Sequence, residues 1–161
     1  MTVLDSVGYG PVQEETSRRE FLTCRLGEES YGIDILKVQE IREIDRVTRV
    51  PRVARFVRGV INLRGAIVPI VDLGLLFGFP EPIDLEDASA IVLNVDRRLV
   101  GLVVQSVSDV LALADDEIVP PPELGERSIG ASILGIGTRD GTSVLLLDVD
   151  HILRRIREAR E

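Results

Sequence analysis

From Phe21 onward the chain sets short apolar runs between Gly, Pro and Asp: FLTCRL, then GEES, then YGIDIL, and so on to the end. Runs of that length bounded by turn formers predict β-strands at short spacing. IVLNV and LVGLVV, separated by Asp96-Arg97-Arg98, predict a hairpin, and AIVPIV after Arg64-Gly65 predicts the second arm of another. An all-β, barrel-like class follows. Asp72 precedes LGLLFG and Asp148 precedes VDHILRRIREARE, where a carboxylate can cap the free amides of a helix start and oppose its dipole. In the last of these segments Ile152, Leu153 and Ile156 form one stripe with Arg154, Arg155 and Arg157 elsewhere, so an amphipathic helix over 149–161 is expected to pack back on the strands. Residues 1–19 hold no sustained period and predict a loose tail.

The pattern also repeats. At an offset of 69, Gly32-Ile33 falls on Gly101-Leu102, Val38 on Val107, Glu40 on Asp109, Ile41 on Val110 and Val50-Pro51 on Val119-Pro120. At an offset of 76, Gly59 falls on Gly135, Gly65 on Gly141, Val68 on Val144 and Asp72 on Asp148, which puts the extra residues in a loop around 123–133. One unit of roughly 65 to 70 residues, the size of a small barrel with few free strand edges, is thus used twice. The approximate halves are 20–85 and 86–150, with room for strands to be exchanged between them. Where the first half has Asn62-Leu63-Arg64-Gly65, the second has Thr138-Arg139-Asp140-Gly141, so an equivalent turn carries different charges at the two ends.

Composition narrows the function. Apolar residues make up 45% of 161, enough for a core, while aromatics are only 4% with no Trp, which argues against base-stacking sites. A net charge of −8 has the wrong sign for phosphate backbones and acidic membrane surfaces and suits selective encounter with proteins. Nucleic acid and direct membrane insertion are therefore not expected. Lone Cys24 on a predicted strand reads as a small buried hydrophobe. No apolar run approaches ~20 residues and no basic segment leads an apolar one at the start, so a spanning helix and a signal peptide are not expected and a cytoplasmic location is. Chemistry is sparse too. His151 is the only histidine, no Cys-x-x-Cys, Walker or G-x-S-x-G motif occurs, and GIGTRDG lies between two predicted strands as a hairpin turn. Glu28-Glu29 and Asp115-Asp116-Glu117 stand in turn contexts as solvated acids. Neither catalysis, metal nor cofactor is expected.

What remains is a set of polar residues on an aliphatic scaffold. FLTCRLGEESYGIDILKVQEIREI, VTRVP, FVRGVINLRGAIVPIVDL and LVGLVVQSVSDVL together resemble the CheW family, the coupling proteins of bacterial chemotaxis, in order and without large gaps over residues 20–153. The resemblance implies two five-stranded SH3-like barrels packed around a shared hydrophobic core, with short helices. It implies an adaptor that links the cytoplasmic coiled-coil tips of chemoreceptors to the regulatory domain of the histidine kinase CheA. In the family the groove between barrels receives the receptor tip and the outer barrel faces meet the kinase in ring-like arrays. The expected chain is a monomer in isolation that reaches the membrane arrays through its partners. Arg64, in the family's N-L-R-G motif, is implied as a receptor contact, and Val38 in KVQEI and Val110 in SVSDV as positions tied to receptor coupling. Glu40 and Asn62 complete the receptor-side set; no kinase contact is assigned.

Physical chemistry suits this set, because a helix laid in a groove needs apolar side chains flanked by a few oriented polar groups. Arg64 offers a planar five-donor fork whose stem covers apolar surface, with the alternative that it closes its own barrel on Glu40 or a loop carbonyl. Asn62 can bond the adjacent backbone and fix the turn. Pro69 cannot donate to a ladder and suggests an edge or bulge left free for the kinase. Gln105 stands where the family often has an acid, and PPPELGERSIGASILG has no close counterpart. The other reading is a free-standing peptide- or small-molecule-binding β-barrel regulator, or an adaptor in a receptor-kinase pathway other than chemotaxis.

Overall fold

The computed structural model describes residues 18–121 and 132–159. Most of the expected tail, residue 122 with residues 123–131 of the expected insertion, and the last two residues of the expected helix lie outside the described residues. Eleven strands run in the order β1 (Arg19–Leu26), β2 (Glu29–Asp34), β3 (Val38–Glu43), β4 (Val57–Leu63), β5 (Ala66–Asp72), β6 (Ser89–Val95), β7 (Arg98–Val104), β8 (Ser106–Leu113), β9 (Ile118–Val119), β10 (Ile133–Arg139) and β11 (Thr142–Leu147). A short helix α1 (Leu73–Leu76) follows β5, and α2 (Val149–Glu158) follows β11. The fold is mainly β, as the patterning predicts.

Two sheets form. Sheet I has the order β8-β1-β2-β11-β10-β9 and sheet II the order β3-β6-β7-β5-β4. Each mixes the two repeats: sheet I joins β1 and β2 to β8–β11, and sheet II joins β3–β5 to β6 and β7. The repeats meet in four pairings, antiparallel between β1 and β8 and between β3 and β6, and parallel between β2 and β11 and between β5 and β7. Parallel strands are ordinarily covered on both faces, and β5 and β7 accordingly read as nearly unbroken apolar runs.

Sheet I has six strands and not the expected five because one stretch of chain supplies both of its edges, β8 at one and β9 at the other. After β8 the chain makes a 3-10 turn at Asp115–Glu117 and returns as β9 against β10, through Val119 opposite Ile136. Sheet II curls in the same way: past β3, Thr48 forms a bridge to Val60 of β4, with N···O distances of 2.9 Å in both directions. Gly59 permits this approach. Its φ is +143°, and a Cβ there would lie 2.4 Å from the Thr48 carbonyl oxygen. Gly135, its match in the repeat, holds the equivalent close approach to Ile118 and Val119. No continuous ladder joins the end strands of either sheet among the described residues.

One apolar core spans both sheets, from Leu22, Cys24 and Ile33 in sheet I to Val71, Ile91 and Leu102 in sheet II, and it takes in Ile152 and Ile156 of α2. A smaller cluster of Phe21, Leu113, Val144 and Leu146 fills the inside of the curled sheet I. Burying each large aliphatic contributes about 1.5 to 3 kcal/mol. The caps form as expected: Asp72 accepts the Leu75 N–H at 3.0 Å and Asp148 that of His151 at 3.1 Å. Asp72 does more than cap. It is fully buried, pairs with Arg58 at 2.9 Å and accepts the Ile83 N–H at 2.9 Å, which fixes the segment after α1 to the end of β5.

Pro69 is not on an edge. β5 lies between β4 and β7, Pro69 faces Val60, and pairing with β7 starts only at Ile70, so the missing donor falls just before that ladder begins.

Candidate protein-interaction site

The β4–β5 hairpin closes with Leu63 opposite Ala66, leaving Arg64 and Gly65 as a two-residue turn. Both have positive φ, 51° and 93°, the signature of a type I′ turn whose twist matches that of the flanking strands. Gly65 fits the second position at no steric cost, and a non-glycine residue at the first is uncommon. Asn62 braces the turn: its Oδ1 accepts the Gly65 N–H at 2.9 Å. Asn62 is thus a positioning residue that holds the Arg64 backbone.

The Arg64 side chain is 66% exposed and pairs with Glu40 on β3. This is the internal pairing that the sequence left open, and it joins the two end strands of sheet II at the hairpin tip. Arg42 lies 3.8 Å from the same carboxylate. The hydrogen bond from Arg64, with the nearby charges of Arg64 and Arg42, holds the Glu40 carboxyl below the usual carboxylate range. The same bond holds Arg64 protonated more firmly still. An exposed pair of this kind contributes little to stability and can be exchanged for an external partner at small cost.

Val38, the first residue of β3, is half-buried and packs against the main core opposite Leu93. Val110 lies on the other sheet, exposed on the outer strand β8 opposite Leu22. Glu40, Asn62, Arg64 and Val38 are therefore all carried by sheet II, with Glu40 and Arg64 in contact, whereas Val110 is carried by sheet I. The repeat finds a counterpart for it: Ile41, matched to Val110, is exposed to nearly the same degree, 45% against 48%. Residues Leu36 and Ile67 were also missed by sequence reasoning, and both are among the exposed large apolar side chains. Leu36 sits in the 3-10 turn Ile35–Lys37 where the chain crosses from sheet I to sheet II. Alternation could not flag it, because a one-turn crossover has no periodicity.

The second repeat uses its equivalent acid differently. Asp109 accepts from the Thr23 hydroxyl at 2.9 Å and returns its own N–H to that oxygen at 3.1 Å, tying β8 to β1. Gln105 accepts the Gly27 N–H at 2.7 Å and so fastens the β1–β2 turn to the other crossover. Its amide suits a neutral backbone donor, for which no negative charge is required.

The polar groups elsewhere are structural. Ser132 is fully buried with its Oγ 3.0 Å from His151 Nδ1 and 3.0 Å from Arg155 Nη1. Arginine can only donate, so the serine oxygen accepts there, and Arg155 also donates to the Leu76 carbonyl at 3.0 Å, latching α2 onto α1. Burial pushes the Cys24 thiol up to about 12, which leaves it a packing residue.

The family model for the CheW-like domain matches residues 20–157, which take in both sheets and the Arg64 turn. The chain belongs to the CheW-like family. It is 45% identical over 139 residues to the chemotaxis protein CheW of Klebsiella aerogenes, covering 86% of this chain and 84% of that one. With the chemotaxis protein CheW of Rhizobium meliloti the identity is 36% over 137 residues, 83% of this chain and 86% of the relative. Among solved structures, the scaffolding protein TtCheW of Thermoanaerobacter tengcongensis superposes with a TM-score of 0.72 at 30% identity, covering 80% of this chain and 83% of that one. Membership makes the chain a non-catalytic chemotaxis adaptor. Among the described residues no helix is long and apolar enough to cross a membrane.

Proposed function

We propose that this chain couples the cytoplasmic helices of chemoreceptors to the regulatory domain of the histidine kinase CheA, acting at the cytoplasmic side of the membrane through those partners. The Arg64 turn is its receptor-side contact. The observation that carries this reading is an exposed guanidinium on a preorganised turn, held only by an exchangeable surface carboxylate. A receptor helix presenting a carboxylate or a free carbonyl can take over the fork from Glu40, while half-buried Val38 and the exposed Ile41 and Ile67 offer apolar contact on the same sheet. Val110 supplies the equivalent contact from the second sheet.

Co-sedimentation with receptor cytoplasmic fragments and kinase tests the assignment. Arg64→Ala and Val38→Ala are each expected to weaken receptor pairing by about 1 kcal/mol or more, as for residues near an interface centre. Asn62→Ala should weaken it less, and through the turn. Unchanged pairing in both of the first two variants, with circular dichroism showing an intact fold, would remove the site.

A further inference from the structure

A cleft of about 750 Å³ lies between the face of sheet II formed by β4 and β5, the β6–β7 turn, residues 50–54 and helix α2. Its walls are branched aliphatics: Val53, Val60, Val71, Val100, Leu153 and Ile156. Val71 is fully buried and marks the floor. Arg52, Arg98 and Arg157 also line the cleft, with Asp96 as the single carboxylate, and all four residues are exposed and so sit at the mouth. None of the three arginines forms an ion pair among the described residues. Arg52 holds a φ of +63°, a costly conformation for a side chain of its size, in the exposed turn beside Val53.

Three unpaired cations around one apolar hollow stand out on a chain of net charge −8. Among the described lining residues none is aromatic, so the hollow offers no ring for stacking and does not have the composition of a protein-interface centre. The volume falls within the range of small-molecule sites, about 300 to 1,000 Å³. Of the four charged side chains at the mouth three are arginines, which only donate, against one carboxylate, and this excess of positive charge selects an anion at one end of the ligand. The valine walls select a saturated chain at the other.

We propose that this cleft binds a free anionic amphiphile, with an aliphatic chain of medium length on the valine floor and its carboxylate against Arg52, Arg98 and Arg157. The site is independent of the Arg64 turn and goes beyond the coupling role. The probe is sodium decanoate, used below its micelle-forming concentration and titrated into the full chain by calorimetry and by methyl NMR. Saturable binding is expected, with shifts at the Val71 and Leu153 methyls. Decyltrimethylammonium, the same chain with a cationic head, should bind at least about tenfold more weakly. The triple variant R52E/R98E/R157E, altered only at exposed side chains, should lose decanoate affinity by about tenfold or more, while R64A keeps it. Equal binding of the two head groups, or an unchanged triple variant, would overturn the proposal. So would retention of the protein on phosphatidylglycerol vesicles without any binding of monomeric decanoate, since that result points to a membrane surface instead.

Discussion

Glu40 holds Arg64 by a hydrogen bond and Arg42 by charge alone, so its ionisation reports on the turn. Its folded value lies below the ordinary 4.5, and a carboxyl depressed in this way contributes stability that is complete above its unfolded value. That contribution disappears as the pH falls through the lower folded value. The difference in melting temperature between wild type and Glu40→Gln should therefore be constant from about pH 5 to about pH 8 and shrink on further acidification. A difference that grows below pH 5 would contradict the assignment. Salt should also reduce it, because the pair is exposed. At this scale the sequence was partly legible. Asn62 was readable as a turn brace because its partner is three residues away, whereas the pairing of Arg64 with Glu40, 24 residues apart, could be read only as one alternative, because the curl of sheet II is what brings them together.

The strand elements owe their shape to close approaches at particular glycines. Gly59→Ala would push a methyl into the Thr48 carbonyl at 2.4 Å, so the bridge to Val60 should open, at a cost of about 2 to 3 kcal/mol. Hydrogen exchange at the Thr48 and Val60 amides is the readout. Gly65→Ala meets nothing within 4 Å and pays only for its left-handed backbone, about 1 kcal/mol. Equal losses in the two variants would show that contact at residue 48 does not shape the sheet. Strand positions, hairpins and caps could be read from alternation and turn residues, since those signals are local. The placement of Pro69 could not: a missing donor is compatible with an edge, but also with an inner strand whose second ladder starts one residue later.

At the scale of the whole molecule the repeats are not independent. Sheet I lacks its β8 edge and its β10–β11 hairpin without the second repeat, and β3 has no partner without β6. Residues 19–85 expressed alone should consequently show no cooperative thermal transition by circular dichroism, and adding 86–159 in trans should restore one. A folded, two-state fragment would mean that one repeat can stand by itself. The duplication was legible because Gly, Asp and Val-Pro recur at fixed offsets. The exchange of strands between sheets was not, because alternation records which face is buried and never which strand lies alongside.

The crossovers between the sheets are very short: three residues, Ile35–Lys37, separate β2 from β3, and Gln105 alone separates β7 from β8. Connections that short leave no hinge, and the common core fills the space a hinge motion would need. Faces on opposite sheets are thus kept at a constant separation and angle, like marks on a gauge block. An adaptor made this way hands a displacement from one neighbour to the next as a rigid push, and the repeat distance of any lattice it joins is written into its own width.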